Sequence, residues 1–111
     1  MPRHVPDAAR ALAEAQERGA FAHLVGPVTT KAEALDAIGA ALRFPAWYGR
    51  NLDALYDCLA DLSWLPAGEH VLVWTGHRDF EAADPDGYRA VLAVFDEVTA
   101  GRPVSVLLAD A

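Results

Sequence analysis

Only one cysteine, Cys58, occurs in the 111 residues, so no disulfide can close within the chain and nothing points to an oxidising compartment. No run approaches the ~20 apolar residues that a membrane-spanning helix needs. The first stretch, MPRHVPDAARALAEAQERG, is broken by proline and charge and lacks the apolar centre of a secretion signal. Cytoplasmic residence without membrane contact is the expectation. Basic residues are scarce: nine Lys and Arg stand against sixteen Asp and Glu, for a net charge of −7. That balance argues against direct binding of nucleic acid or anionic lipid, both of which call for basic surface, and it suits a cationic protein partner. His4, His23, His70 and His77 show no metal-ligand spacing, so neither a metal nor a cofactor is expected. Repeats, low-complexity tracts and linkers are absent too.

What is present describes an ordinary globule. The hydrophobic fraction is 53% and the charged fraction 23%. A chain of this length is one domain in size and can bury roughly two-thirds of its unfolded surface. Residues 7–18 read as a short helix between an Asp7 cap and Gly19, with an apolar side made mostly of alanine. This is expected to be a peripheral extension, residues 1–19, capping a sheet edge. The main domain is expected over 20–111. AFAHLV (20–25) reads as a strand. Thr30 and Glu33 form a capping box, and Leu35, Ile38 and Leu42 make the inward stripe of a helix that Pro45 ends. Residues 70–75, HVLVWT, and 104–109, VSVLLA, read as strands buried on both faces. Between them a polar, turn-rich segment (77–86) leads to a last helix, capped at Asp84-Pro85, with Tyr88, Val91, Leu92, Phe95 and Val98 facing inward. Strands separated by helices indicate an α/β fold with a small parallel sheet.

The most informative stretch is FPAWYGRNLDALYDCLADL, residues 44–62. Asn51 is placed to cap a helix over 52–62, whose Leu52, Leu55, Leu59 and Leu62 form the inward stripe. Asp53, Asp57 and Asp61 follow one another at i, i+4 and i+8, where like charges repel. A helix that keeps this repulsion beside the aromatic pair Trp47 and Tyr48 has a use for negative surface. Trp47 is expected to point outward and Tyr48 inward, and Gly49 to hold a backbone angle that other residues resist. Cys58 neighbours the leucine stripe, with no base spaced to activate it, and reads as an inert thiol.

WYGRNLDALYDCL (47–59) resembles the signature of the barstar family of intracellular ribonuclease inhibitors, and VLAVFDEV (91–98) resembles that family's last helix. The likeness covers about residues 21–109. It implies a barstar-like α/β fold: a small three-stranded parallel sheet with helices packed over one side, here with an extra N-terminal helix. It also implies an inhibitor that blocks a ribonuclease active site with the acidic helix and the preceding aromatic loop. By position, Asp57 matches the residue that enters the phosphate pocket. Asp53 and Glu97 match flanking acidic contacts, and Trp47, Asn51, Leu52 and Tyr56 match further contacts. Trp47 stands where the barstar pattern has Tyr, and Tyr56 where it has Trp. Asp61 and Leu62 replace a Gly and a Trp at the contact edge, so Asp61 joins the partner-binding set and the partner surface is expected to differ from barnase.

The implied partner is a small basic ribonuclease, met by a chain that is a monomer when free. The alternative is a module of the same fold for another basic protein. A third reading makes Asp53 and Asp57 the acid and base of a hydrolase, but side chains one turn apart on a convex helix lack a cleft that excludes water.

Overall fold

The structure, a computed structural model, describes residues 2–110; Met1 and Ala111, the outer ends of the two expected segments, lie outside it. Four parallel strands, β1 (Arg3–Val5), β2 (Phe21–Val25), β3 (His70–Trp74) and β4 (Val104–Ala109), form one sheet in the order β1-β4-β3-β2. β2 pairs with β3 from Phe21↔His70 to Val25↔Trp74, and β3 with β4 from His70↔Val104 to Trp74↔Leu108. The parallel α/β architecture is as expected, with a fourth strand, β1, added beside β4.

Five helices cover the sheet: α1 (Ala8–Glu17), α2 (Lys31–Ala41), α3 (Leu52–Asp61), α4 (His77–Ala83) and α5 (Pro85–Thr99). β1 and β2 are the two edges, so α1, which joins them, has to cross a whole face of the sheet. It packs on β2, β3 and β4. Its small residues explain how: Ala11 and Ala15 are buried against Val71, Val73, Leu107 and Ala109. The extension therefore closes a face rather than capping an edge, and the alanines let the helix lie close. The main core fills the opposite face, where Leu35, Ile38, Leu42, Leu55, Leu59, Phe80, Val91 and Phe95 pack on Leu72, Trp74 and Leu108. β3 is buried at every position, as a strand sandwiched between two helical layers must be.

Local chemistry sets the helix ends. Thr30 Oγ1 accepts from the Glu33 amide at 3.1 Å, and the Glu33 carboxylate accepts from the Thr29 amide at 2.9 Å and its hydroxyl at 3.0 Å. These hydrogen bonds hold the Glu33 carboxyl below its ordinary range. Asp84 caps α5 by accepting from Gly87 N–H at 3.1 Å, with Pro85 in the first turn. The 77–86 segment is not a loop: His77 and Phe80, buried one turn apart, anchor α4. No helix among the described residues is long and apolar enough to cross a membrane.

Candidate protein-binding surface

The aromatic loop is built from the end of α2. That helix stops before Pro45 is reached. Arg43 N–H donates to the Ala40 carbonyl at 3.4 Å and Phe44 N–H to that of Gly39 at 2.9 Å, with Arg43 left-handed at φ 54. This is a Schellman closure with arginine in the place glycine usually takes. It turns Phe44 inward, where its ring meets Tyr48 edge-on at 4.7 Å and Trp64 at 5.8 Å. The Tyr48 hydroxyl donates to the Leu35 carbonyl at 3.1 Å. Burial is the main reason its pKa is pushed up to about 12. The ring lies so close to Gly39 that a side chain there would have its Cβ 2.9 Å from Tyr48 Cε2.

Tyr48 therefore faces inward while Trp47 is 62% exposed, held edge-on at 6.4 Å by Trp64. Trp64 is in turn pinned by its indole N–H donating to the Leu42 carbonyl at 2.9 Å. Trp64 belongs to no motif in the sequence; its one signal there is a large aromatic just beyond the helix, before Leu65-Pro66. The left-handed residue of the loop is Arg50, at φ 53, not Gly49. Gly49 serves for room, since a Cβ there would stand 3.2 Å from the Asn51 amide nitrogen.

Asn51 caps α3, its Oδ1 accepting from Ala54 N–H at 2.8 Å. Leu55, Cys58 and Leu59 are buried, whereas Leu52, Tyr56 and Leu62 are half-buried at the margin of the main core. Burial, then the nearby Asp57 and Asp61, raises the Cys58 thiol pKa and keeps it protonated. Asp53, Asp57 and Asp61 are exposed. Among the described residues none of the three has an ion-pair or hydrogen-bonding partner, and α3 contains no basic side chain. Leu62 ends the helix in the left-handed region at φ 50, so Asp61 lies in the last turn, where the helix dipole opposes a negative charge.

One helix and the loop before it thus carry Trp47, Asn51, Leu52, Asp53, Tyr56, Asp57 and Asp61. Glu97 comes from α5, which packs against α3, and its side chain is exposed without an ion-pair partner among the described residues. The sequence profile of the family described as Barstar (barnase inhibitor) matches residues 18–109, more than four-fifths of the chain, leaving out residues 1–17, which carry β1 and α1, and the last two residues. The chain belongs to the Barstar (barnase inhibitor) family.

Proposed function

We propose that this protein is a non-catalytic, intracellular inhibitor that protects its own cell from a small basic ribonuclease by seating α3 and the Trp47 loop in the enzyme's active site. One observation carries the reading: three carboxylates on a well-anchored helix form no ion pair among the described residues. A ribonuclease active site gathers Arg, Lys and His around a phosphate. A carboxylate placed there forms charge-assisted, often bidentate hydrogen bonds. Asp57, midway along α3 with a neighbouring acid one turn to either side, is the residue for that position. Asp53 and Glu97 extend the negative field and act chiefly on association rate. Trp47 supplies an exposed aromatic anchor, and Asn51, Leu52 and Tyr56 complete the contact. Asp61, in an open hollow with Leu62, Pro66 and Arg102, marks the edge where specificity departs from barnase.

The test is an inhibition assay of the purified, monomeric protein against a panel of small basic ribonucleases, guanyl-specific ones first. Stoichiometric inhibition of one of them supports the reading. Failure against all, with capture of another basic protein through the same helix, would transfer the surface to a different partner.

A further inference from the structure

His4, His77 and Asp110 stand far apart in sequence, yet the topology brings them to the carboxyl ends of three neighbouring strands, β1, β3 and β4. His77 Nε2 lies 3.3 Å from Asp110 Oδ1, and His4 Nδ1 lies 3.8 Å from the same oxygen. A donor atom from each of the three residues falls within 4.8 Å of the other two. We infer that these three side chains form a binding site for one divalent transition-metal ion of the Zn2+ class.

Ligand geometry fits with little movement. Zinc takes imidazole nitrogen and carboxylate oxygen at about 2.0–2.2 Å, which puts two ligands of one tetrahedral ion roughly 3.4 Å apart. The His77–Asp110 separation already meets this. The His4 side must close in, and His4 and Asp110 are free to do so, being 49% and 48% exposed at their side chains. His77 is the fixed member. It is fully buried, stacked on Tyr88 at 6.1 Å, with its Nδ1 2.9 Å from the Tyr88 hydroxyl. A carboxylate only accepts, so in this structure Nε2–H donates to Asp110 and Nδ1 accepts from the Tyr88 hydroxyl. A phenol oxygen can also accept, so the ring can take its other tautomer, with the proton on Nδ1 toward Tyr88 and the Nε2 lone pair freed for a metal. An outer partner of this kind is what a metal-binding histidine ordinarily has.

The donor set decides the class of ion. Two imidazoles and one carboxylate suit Zn2+ and its neighbours rather than Mg2+ or Ca2+, which prefer oxygen. The nearest opposing charge is Arg78, 3.7 Å from Asp110 Oδ1, and it has a second exposed partner, Glu81, at 3.2 Å. A bound ion would tie β1 to the ends of β3 and β4 and so hold the N-terminal extension on the sheet. His4 and Asp110 lie outside the residues matched by the family and His77 inside them, so two of the three ligands come from beyond the matched segment. No neighbouring spacing announces it, which is why the four histidines looked unrelated in sequence.

The experiment uses the full chain without a histidine tag, stripped with chelator, and titrated with ZnCl2 against MgCl2 by calorimetry and thermal melting. The expected result is one Zn2+ per chain, with Tm rising as Zn2+ is added and unmoved by Mg2+. His4→Ala and Asp110→Asn, both at exposed positions, should each weaken Zn2+ binding by about tenfold or more while leaving the metal-free melt near that of the parent. No saturable binding at about a tenfold excess of Zn2+ would overturn the inference. So would undiminished binding by both variants, which would place the ion elsewhere, for example at His23 and His70.

Discussion

At Gly39 a single methyl group would come within 2.9 Å of the Tyr48 ring, and that ring cannot swing away because its hydroxyl is tied to the Leu35 carbonyl. Gly39→Ala ought to favour the α2 helix by up to ~1 kcal/mol on propensity alone. The clash reverses the sign, and overpacking of this kind costs about 1–3 kcal/mol. A urea melt of Gly39→Ala is expected to show net destabilisation; a more stable variant would mean that the loop yields freely and does not fix Trp47. In sequence, WYGRN was legible as a turn with one aromatic out and one in. The residue that carries the left-handed angle was not. Glycine is the usual occupant, but here the strain falls on Arg50, whose guanidinium sits 3.3 Å from Asp36. Such a choice depends on neighbours from another helix, which local sequence does not contain.

On α3 the apolar stripe and the acidic ladder were both legible, because a helix turns a fixed spacing into a fixed face. Helices α3 and α5 carry one prediction each. Replacing Asp57 by Ala removes repulsion from Asp53 and Asp61, worth about 0.2–0.5 kcal/mol per pair, and adds a better helix former. The free Asp57→Ala protein should be as stable as the parent or more so in a urea melt. Clear destabilisation would make Asp57 a structural residue. On α5, Glu97→Gln should slow association with the ribonuclease at low salt and flatten the dependence of the association rate on ionic strength. Identical rate and salt slope in the variant would remove Glu97 from the contact. Two elements escaped the sequence for physical reasons. β1 is three residues long, mostly exposed, and exists only through its pairing with β4. α4 is preceded by Gly76 at its N-cap, which offers no capping side chain, and has too few turns for a period to declare itself.

For the molecule as a whole, the sheet between two apolar layers explains why an alanine-rich helix outside the family match is part of the fold. It also leaves a titratable pair at the β2 edge. His23 Nε2 stands 3.0 Å from His70 Nδ1, and His70 Nε2 donates to the Pro66 carbonyl at 2.8 Å. Burial, then the charge on a protonated His70, lowers the His23 pKa from its ordinary 6.5. As pH falls, the unfolded chain takes up this proton before the folded one does. The stability that neutral His23 contributes is therefore complete above 6.5 and is lost as pH drops through the lower folded value. Unfolding free energy should decline on acidification from about pH 7.5 to 5, and less steeply in His23→Gln. Equal slopes in the two proteins would mean that His23 titrates alike folded and unfolded. The parallel sheet and its main core were legible from buried strands alternating with helices. The second core was not, since alanines declare no partner until β1 and β2 are seen to lie at opposite edges. The proposed α3 contact lies on the opposite face of the sheet from α1, and steady-state kinetics of a susceptible ribonuclease with RNA are its sharpest test. Seating α3 in the enzyme's active site predicts competitive inhibition, with KM raised and kcat unchanged. It also predicts that Asp57→Ala binds about 30-fold to several thousand-fold more weakly, since truncating a buried charge pair costs about 2–5 kcal/mol, a range to which the barnase–barstar complex itself contributes. Inhibition that lowers kcat without competing with RNA, or an Asp57→Ala protein that inhibits as tightly as the parent, would contradict it.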